Sequence, residues 1–309
     1  MNVLSLFDGM SCGQIALERA GFKIDNYYAS EIDKYAIKVT QINYPKTIQL
    51  GCVSTIRAKH LPTIDLIIGG SPCTYWSISQ TKNREITPDG LGFKLFMHYV
   101  RLIKECKPKY FLYENNLGIH QNIKNAITKH LKVEPIMINS ALLSAQSRKR
   151  LYWTNIPNVT QPKDKKVLLK DIINYDSLTY QRKSYCLTAN YNKAVMWNTI
   201  QKNQRTMLFK PIRLGYFNKG GQGSRIYSIN GKSITISSGY GGLGAKTGLY
   251  RINLPDGEYI VRKLTPRECE RLQTVPEYYT NWVSNTQQYK MLGNGWTVDV
   301  IKHIFNHIT

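Results

Sequence analysis

Short apolar runs, each followed at once by polar or glycine-rich residues, alternate with amphipathic stretches through the first half of the chain. The pattern predicts strands over residues 3–7, 27–30, 48–50, 65–68 and 110–113, with a helix over 14–20 after the first of them. Strands alternating with helices predict an α/β fold built on a mostly parallel sheet. In open sheets of this kind ligands collect beyond the carboxyl ends of the strands. The positions to question are therefore Asp8-Gly9, Glu31, Cys52-Val53, Ser71-Pro72-Cys73 and Glu114-Asn115.

From about residue 176 to 260 the texture shifts to Tyr, Asn, Lys, Arg, Ser and Gly among short β-like runs, which predicts a second, smaller, β-rich unit. Helical periodicity returns over 265–273, and 296–308 reads as a closing helix. The expected organisation is a large domain of residues 1–175 plus 285–309 and a smaller domain with its hinge over 176–284.

Composition narrows the partners. The chain has 309 residues, with 42 Lys and Arg against 20 Asp and Glu, for a formal net charge of +22. Solubility needs far less, so a polyanion is the natural partner. No basic amphipathic helix with a bulky apolar face suits a lipid surface, and no apolar run reaches the ~18 residues needed to cross a bilayer. Nucleic acid is favoured over membrane. No basic leader precedes Asp8, and the six cysteines include no C-x-x-C pair, so a reducing cytoplasm is expected and neither zinc nor a disulfide framework is. His303 and His307 have i, i+4 spacing, but with no third ligand nearby they read as a helix face. No metal is expected.

Several positions carry candidate chemistry. A glycine turn, Phe7-Asp8-Gly9, lies between a strand and a helix start, where backbone can approach a ligand. Glu31 ends the next strand, about 20 residues on, where an acid can accept from ribose hydroxyls; the pair suggests a cofactor containing adenosine. Pro72 restricts the backbone just before Cys73, after the most apolar strand in the chain. A free thiol ionises near pH 8.5, so a nucleophilic Cys73 needs cationic neighbours. Arg148, Lys149 and Arg150 are candidates, and Glu114 supplies a carboxyl. A nicotinamide oxidoreductase would use the glycine turn and Glu31 but leave Cys73, Glu114 and the arginines idle.

Read in order, Phe7-Asp8-Gly9, Glu31, Ser71-Pro72-Cys73, Glu114-Asn115, Gln146-x-Arg148-x-Arg150, Arg262-Lys263-Leu264-Thr265-x-x-Glu268 and Gly293-Asn294-Gly295-Trp296 resemble the ordered motifs of the DNA cytosine-5 methyltransferase family. The resemblance implies a Rossmann-like, mostly parallel seven-stranded sheet, the S-adenosylmethionine-dependent methyltransferase fold, with a smaller β-rich target-recognition domain. It implies transfer of a methyl group from S-adenosyl-L-methionine to C5 of a flipped-out cytosine in double-stranded DNA. Cys73 would be the nucleophile, with Glu114 at N3 and Arg148 at O2. Phe7, Gly9, Glu31, Ile32, Cys52, Val53, Pro72, Leu95, Asn294, Gly295 and Trp296 would hold the cofactor. Ser77, Asn115, Gln146, Arg150, Lys219, Gln222 and Arg225 would meet DNA, with 219–225 and 237–246 as the reading loops.

Three departures accompany the resemblance. Gly51-Cys52-Val53 stands where the family has an acid in place of Cys52, and that acid accepts from the adenine amino group. Asn116 follows Glu114-Asn115 in place of Val, and Thr74-Tyr75-Trp76 separates Cys73 from Ser77 in place of Gln-Gly-Phe. An RNA-directed methyltransferase of the same fold and a catalytically silent DNA-binding relative stay open as alternatives. The chain length suits a monomeric stand-alone enzyme of a prokaryote or phage, and a separately encoded restriction endonuclease stays open as a partner.

Overall fold

The computed structural model describes residues 1–76, 84–173, 182–195, 198–199, 201–211, 226–228, 249–254 and 257–309. In chain order the first elements are β1 (Asn2–Leu6), α1 (Cys12–Arg19), β2 (Asn26–Ser30), α2 (Lys34–Asn43), β3 (Ile48–Gln49) and β4 (Leu66–Gly69). They are followed by α3 (Leu91–Cys106), β5 (Tyr110–Asn116), α4 (Gln121–Leu131), β6 (Ile136–Asn139) and β7 (Lys149–Thr154).

These strands form one seven-stranded sheet in the order β3-β2-β1-β4-β5-β7-β6. Pairing is parallel from β3 to β5, while β7 runs antiparallel to both of its neighbours. The strand order reverses between β1 and β4, so a crevice opens there at the carboxyl ends of the strands.

Alternation along the central strands splits the core into two layers. Val3, Leu66, Ile68 and Leu112 face one cluster with Ile15 and Leu17 of α1. Leu4, Leu6, Ile67, Phe111 and Tyr113 face the other, where α3 contributes Phe93, Phe96, Tyr99 and Val100 and α4 contributes Ile123 and Ile127. The near-continuous apolar run Leu66–Gly69 is fully buried because a strand in the middle of a parallel sheet has helices on both faces.

A four-stranded sheet, in the order β8-β11-β10-β9, combines β8 (Met207–Pro211), β9 (Ile226–Ser228), β10 (Leu249–Leu254) and β11 (Gly257–Lys263). After it come α5 (Pro266–Leu272), α6 (Asn285–Asn294) and α7 (Val298–Phe305). The segment 264–284, expected with the smaller domain and its hinge, packs into the layer that holds α1. Leu264, Cys269, Leu272, Val275 and Tyr279 share that cluster with Val3 and Ile15, and the Tyr279 hydroxyl donates to the Met10 carbonyl at 2.8 Å.

The start of α5 was legible from its sequence. Thr265 Oγ1 accepts from the Glu268 N–H at 3.2 Å, the Glu268 carboxylate accepts from the Thr265 N–H at 2.7 Å, and Pro266 occupies the first turn. This reciprocal capping box satisfies two backbone donors that the helix itself cannot. Thr265→Ala is expected to lower unfolding stability by about 1 kcal/mol, read as a shift in urea midpoint with an unchanged slope.

Candidate active site

At the β1/β4 crevice lies a cavity of about 570 Å³, within the size range of small-molecule sites. Its floor is the turn after β1, where Phe7 has φ 57° and Gly9 φ 61°. At Gly9 a side chain would meet no neighbour, so the left-handed backbone alone calls for glycine there. Asp8 accepts hydrogen bonds from the Ser11 hydroxyl and, at 2.8 Å, from Tyr27. Burial outweighs those bonds and raises the Asp8 pKa from 3.8 to about 6. The fold thus prefers the protonated form. Its contribution to stability is present below about pH 3.8 and lost as pH rises towards 6.

Every residue assigned to the cofactor from sequence lines this cavity: Phe7, Gly9, Glu31, Ile32, Cys52, Val53, Pro72, Leu95, Asn294, Gly295 and Trp296. Glu31 is fixed by backbone, accepting from Gly9 N at 2.8 Å on one oxygen and from Ile32 N and Asp33 N at 2.7 and 2.8 Å on the other. Ile32 is 77% exposed although it lines the cavity, and offers apolar surface there. At the departure, the Cys52 thiol lies 3.1 Å from the Ser54 hydroxyl, and hydrogen bonding to Ser54 lowers its pKa.

The chain after β4 is pinned to β5. Asn115 Nδ2 donates to the Ser71 carbonyl at 3.3 Å, and the Ser71 and Tyr113 hydroxyls are 2.6 Å apart. A short 3-10 turn, Cys73–Tyr75, follows. The backbone of Cys73 is described there; its side chain is outside the described atoms. Trp76, fully buried, donates its indole N–H to Glu85 at 2.9 Å, and Glu85 also accepts from Gly92 N at the start of α3 at 3.0 Å. Trp76, in the place of the family's Phe, therefore ties the chain before Ser77 to α3 through Glu85. Ser77, Lys219, Gln222 and Arg225, and both expected reading loops, lie outside the described residues.

Glu114 sits within β5, not after it, because the strand continues to Asn116 through antiparallel pairing with β7. Its carboxylate receives the Trp296 indole N–H at 3.0 Å and pairs with Arg150 Nε at 3.0 Å. Gly70 makes the approach possible: a Cβ there would lie 2.9 Å from the Glu114 carbonyl oxygen.

Two side chains that sequence placed at the base or at DNA are held by protein partners, and Arg148 also lines the cavity. Arg148, expected at the base, is 5% exposed, and its guanidinium donates to the carbonyls of Leu187, Gly293 and Gly295 at 2.9–3.1 Å. It staples β7 to the 187 loop and the end of α6, and Arg150 takes the place beside Glu114. Gln146, expected near DNA, is fully buried. Its amide bonds Leu187 N at 2.7 Å, Gln273 Oε1 at 3.1 Å and the Leu272 carbonyl at 3.3 Å, which leaves no group to reach a phosphate. Asn115 is likewise buried and orders the Ser71 turn, although it also lines the cavity.

Other residues of the site carried no sequence signal. Cys186 Sγ lies 3.7 Å from Arg148 Nη1 and 3.9 Å from Arg150 Nη2. Burial pushes this thiol up, but the two guanidinia and their hydrogen bonds outweigh it and lower its pKa. Across the cavity, Lys290 of α6 pairs with Asp33 at 2.6 Å, and Gln287 and Met291 of α6 join the lining.

A cavity with a fixed carboxylate, next to a proline-restricted cysteine turn and a carboxylate paired with arginine, suits a group-transfer enzyme. The whole chain, residues 1–309, matches the family described as C-5 cytosine-specific DNA methylase, and the protein belongs to that family. Among relatives it is 33% identical to the type II methyltransferase M.HhaI of Haemophilus parahaemolyticus, over 100% of this chain and 94% of that one. Spodoptera frugiperda DNMT2 shares the fold with a TM-score of 0.64 at 15% identity, over 99% of this chain and 98% of that one. Entamoeba histolytica methyltransferase EhMeth does so with a TM-score of 0.61 at 16% identity, over 99% and 97%. Among the described residues no helix is long and apolar enough to cross a membrane.

Proposed function

We propose that this protein methylates C5 of a cytosine flipped out of duplex DNA, acting as a monomer through a covalent bond between Cys73 and C6, with S-adenosylmethionine as donor. The observation that carries the reading is the Glu114 carboxylate, held between Trp296 of the cavity and Arg150 and packed against the turn that leads to Cys73.

The cavity suits this cofactor. Ile32, Val53 and Leu95 offer apolar surface for adenine, Glu31 an acceptor for ribose, and the Phe7–Gly9 turn open backbone for the methionine portion. S-adenosylmethionine, when bound, supplies a methyl group activated by the sulfonium. Without the acid at position 52, the adenine amino group loses one acceptor, a deficit of about 0.5 to 1.5 kcal/mol.

Cytosine C5 is too weak a nucleophile to take a methyl group unaided. The Cys73 thiolate adds to C6 and drives the ring electrons toward N3 and O2. A Glu114 carboxyl hydrogen-bonds N3, and the Arg150 guanidinium donates to O2, so both meet charge where it develops. C5 then becomes electron-rich and takes the methyl group. Loss of the C5 proton to solvent and expulsion of the thiolate restore the aromatic ring.

None of this is possible while the base is stacked, and extruding it costs a few kcal/mol that phosphate contacts must offset. The net charge of +22 suits that task. Duplex affinity is therefore expected to fall steeply and linearly on a log-log plot against salt; a flat dependence between 50 and 200 mM would contradict the phosphate-contact account.

The test of the covalent step is a duplex carrying 5-fluorocytosine, whose fluorine blocks the final elimination. The enzyme should form a stable adduct whose mass maps to the peptide holding Cys73. An adduct elsewhere, or none while ordinary cytosine is methylated, would exclude the mechanism.

A further inference from the structure

The turn that carries Cys73 is tied to the β5 region on both sides. Before the cysteine, the Ser71 carbonyl accepts from Asn115 Nδ2 at 3.3 Å, and the Ser71 and Tyr113 hydroxyls are 2.6 Å apart. After it, the link is Arg84. Its Nε donates to the Trp76 carbonyl at 3.2 Å, and its Nη2 donates to the carbonyl of Gly118, in the turn that leaves β5. One guanidinium therefore joins the chain just beyond the nucleophile to the chain just beyond Glu114.

Neighbouring residues set Arg84 for this role. The Glu85 N–H donates to the Tyr75 carbonyl at 2.9 Å. The Glu85 carboxylate accepts from the Trp76 indole at 2.9 Å and from Gly92 N at 3.0 Å. Glycine at 92 leaves room for that carboxylate, because a Cβ there would lie 2.9 Å from Glu85 Oε2. The backbone next to Arg84 is thus fixed between the Cys73–Tyr75 turn and α3. A guanidinium presents its N–H donors in a rigid planar fork, which suits carbonyls from two separate segments better than a mobile ammonium does.

We propose that Arg84 is a positioning residue for the covalent step: it holds the nucleophile turn against the segment that carries Glu114, so that Cys73 and Glu114 meet one cytosine at C6 and N3 together. The inference rests on Cys73 being the nucleophile. A displacement of about 1 Å in such a pair costs about 100-fold in rate. The rival role for an arginine in a DNA-modifying enzyme is a phosphate contact, and the two roles change different quantities. Loss of a phosphate contact lowers the salt slope of duplex affinity by about one, whereas loss of a positioning contact lowers the rate of chemistry at saturating duplex.

The test compares the parent with Arg84→Met and Arg84→Lys on a duplex carrying 5-fluorocytosine, with S-adenosylmethionine present, and follows the single-turnover rate of Cys73 adduct formation. Duplex affinity against salt, calorimetric binding of S-adenosylhomocysteine and the urea midpoint are measured alongside. Both variants should form the adduct roughly ten- to hundredfold more slowly at saturating duplex, with the parent's salt slope and with duplex and cofactor affinities within about threefold. Lysine keeps the charge but not the fork, so it should not restore the rate, and it decides alone if the methionine variant does not fold. An unchanged rate, a rate restored by lysine, or a salt slope lowered by about one with the rate at saturation kept would each overturn the assignment. A parent that methylates cytosine without forming the adduct would remove the Cys73 reading and this inference with it; an adduct that forms equally fast in parent and variants removes only the inference.

Discussion

Replacing Cys73 by serine is expected to abolish methyl transfer, a loss on the order of 10⁴-fold or more, while S-adenosylhomocysteine binding stays at the parent level. The magnitude follows from what a nucleophile does in a covalent enzyme: once it is removed, the remaining groups of the site have no bond to stabilise. A serine hydroxyl is almost wholly protonated at neutral pH and is the weaker nucleophile at C6. The retained binding follows from geometry. The cavity is built by the turn after β1, the end of β2 and α6, and the chain before Cys73 is held by Asn115 and Tyr113 through Ser71. Single-turnover rates with equilibrium binding measured alongside separate the two effects; appreciable methylation by the serine variant would remove the thiolate from the mechanism.

Glu114→Gln is expected to lower the methylation rate by roughly 10²–10⁴-fold, the usual contribution of a positioned acid or base. Here the loss has two sources. The amide cannot give a proton to N3, and the ion pair with Arg150 Nε is broken, which frees the guanidinium to leave the O2 position. The Trp296 indole can still donate to the remaining carbonyl oxygen, so the cavity wall should keep its shape. The effect should accordingly fall on kcat, with cofactor affinity changed less than threefold. A large fall in cofactor affinity with kcat preserved would show that Glu114 serves the cavity and not the base.

The two arginines of the Gln146-x-Arg148-x-Arg150 motif show where sequence reading reaches its limit. Spacing placed both on one edge of the site, and both are there. Arg148 is held by carbonyls of residues 187, 293 and 295, which converge on it only after the chain has folded, while Arg150 pairs with Glu114. Gln146 was misread for the same reason: its partners, Leu187, Leu272 and Gln273, lie far away in sequence. The part of the lining at residues 7–9, 31–33, 52–53 and 70–72 was legible because it follows strands, and strand ends can be read from a short apolar run giving way to glycine or acid. Strand β7 was obscured because it opens on the Lys149-Arg150 charge run, and β6 because four residues carry little pattern. Helix α5 was legible through its periodicity over 265–273, a purely local signal.

Base-resolution mapping of 5-methylcytosine tests methyl transfer to cytosine C5 in DNA. Mixed-sequence duplex DNA is incubated with the protein and S-adenosylmethionine, then read by bisulfite sequencing beside a structured RNA treated in the same way. The account predicts 5-methylcytosine in the DNA, confined to one short recurring sequence, and none in the RNA. Methylation of the RNA alone, or of neither nucleic acid by protein that binds the cofactor, would contradict it.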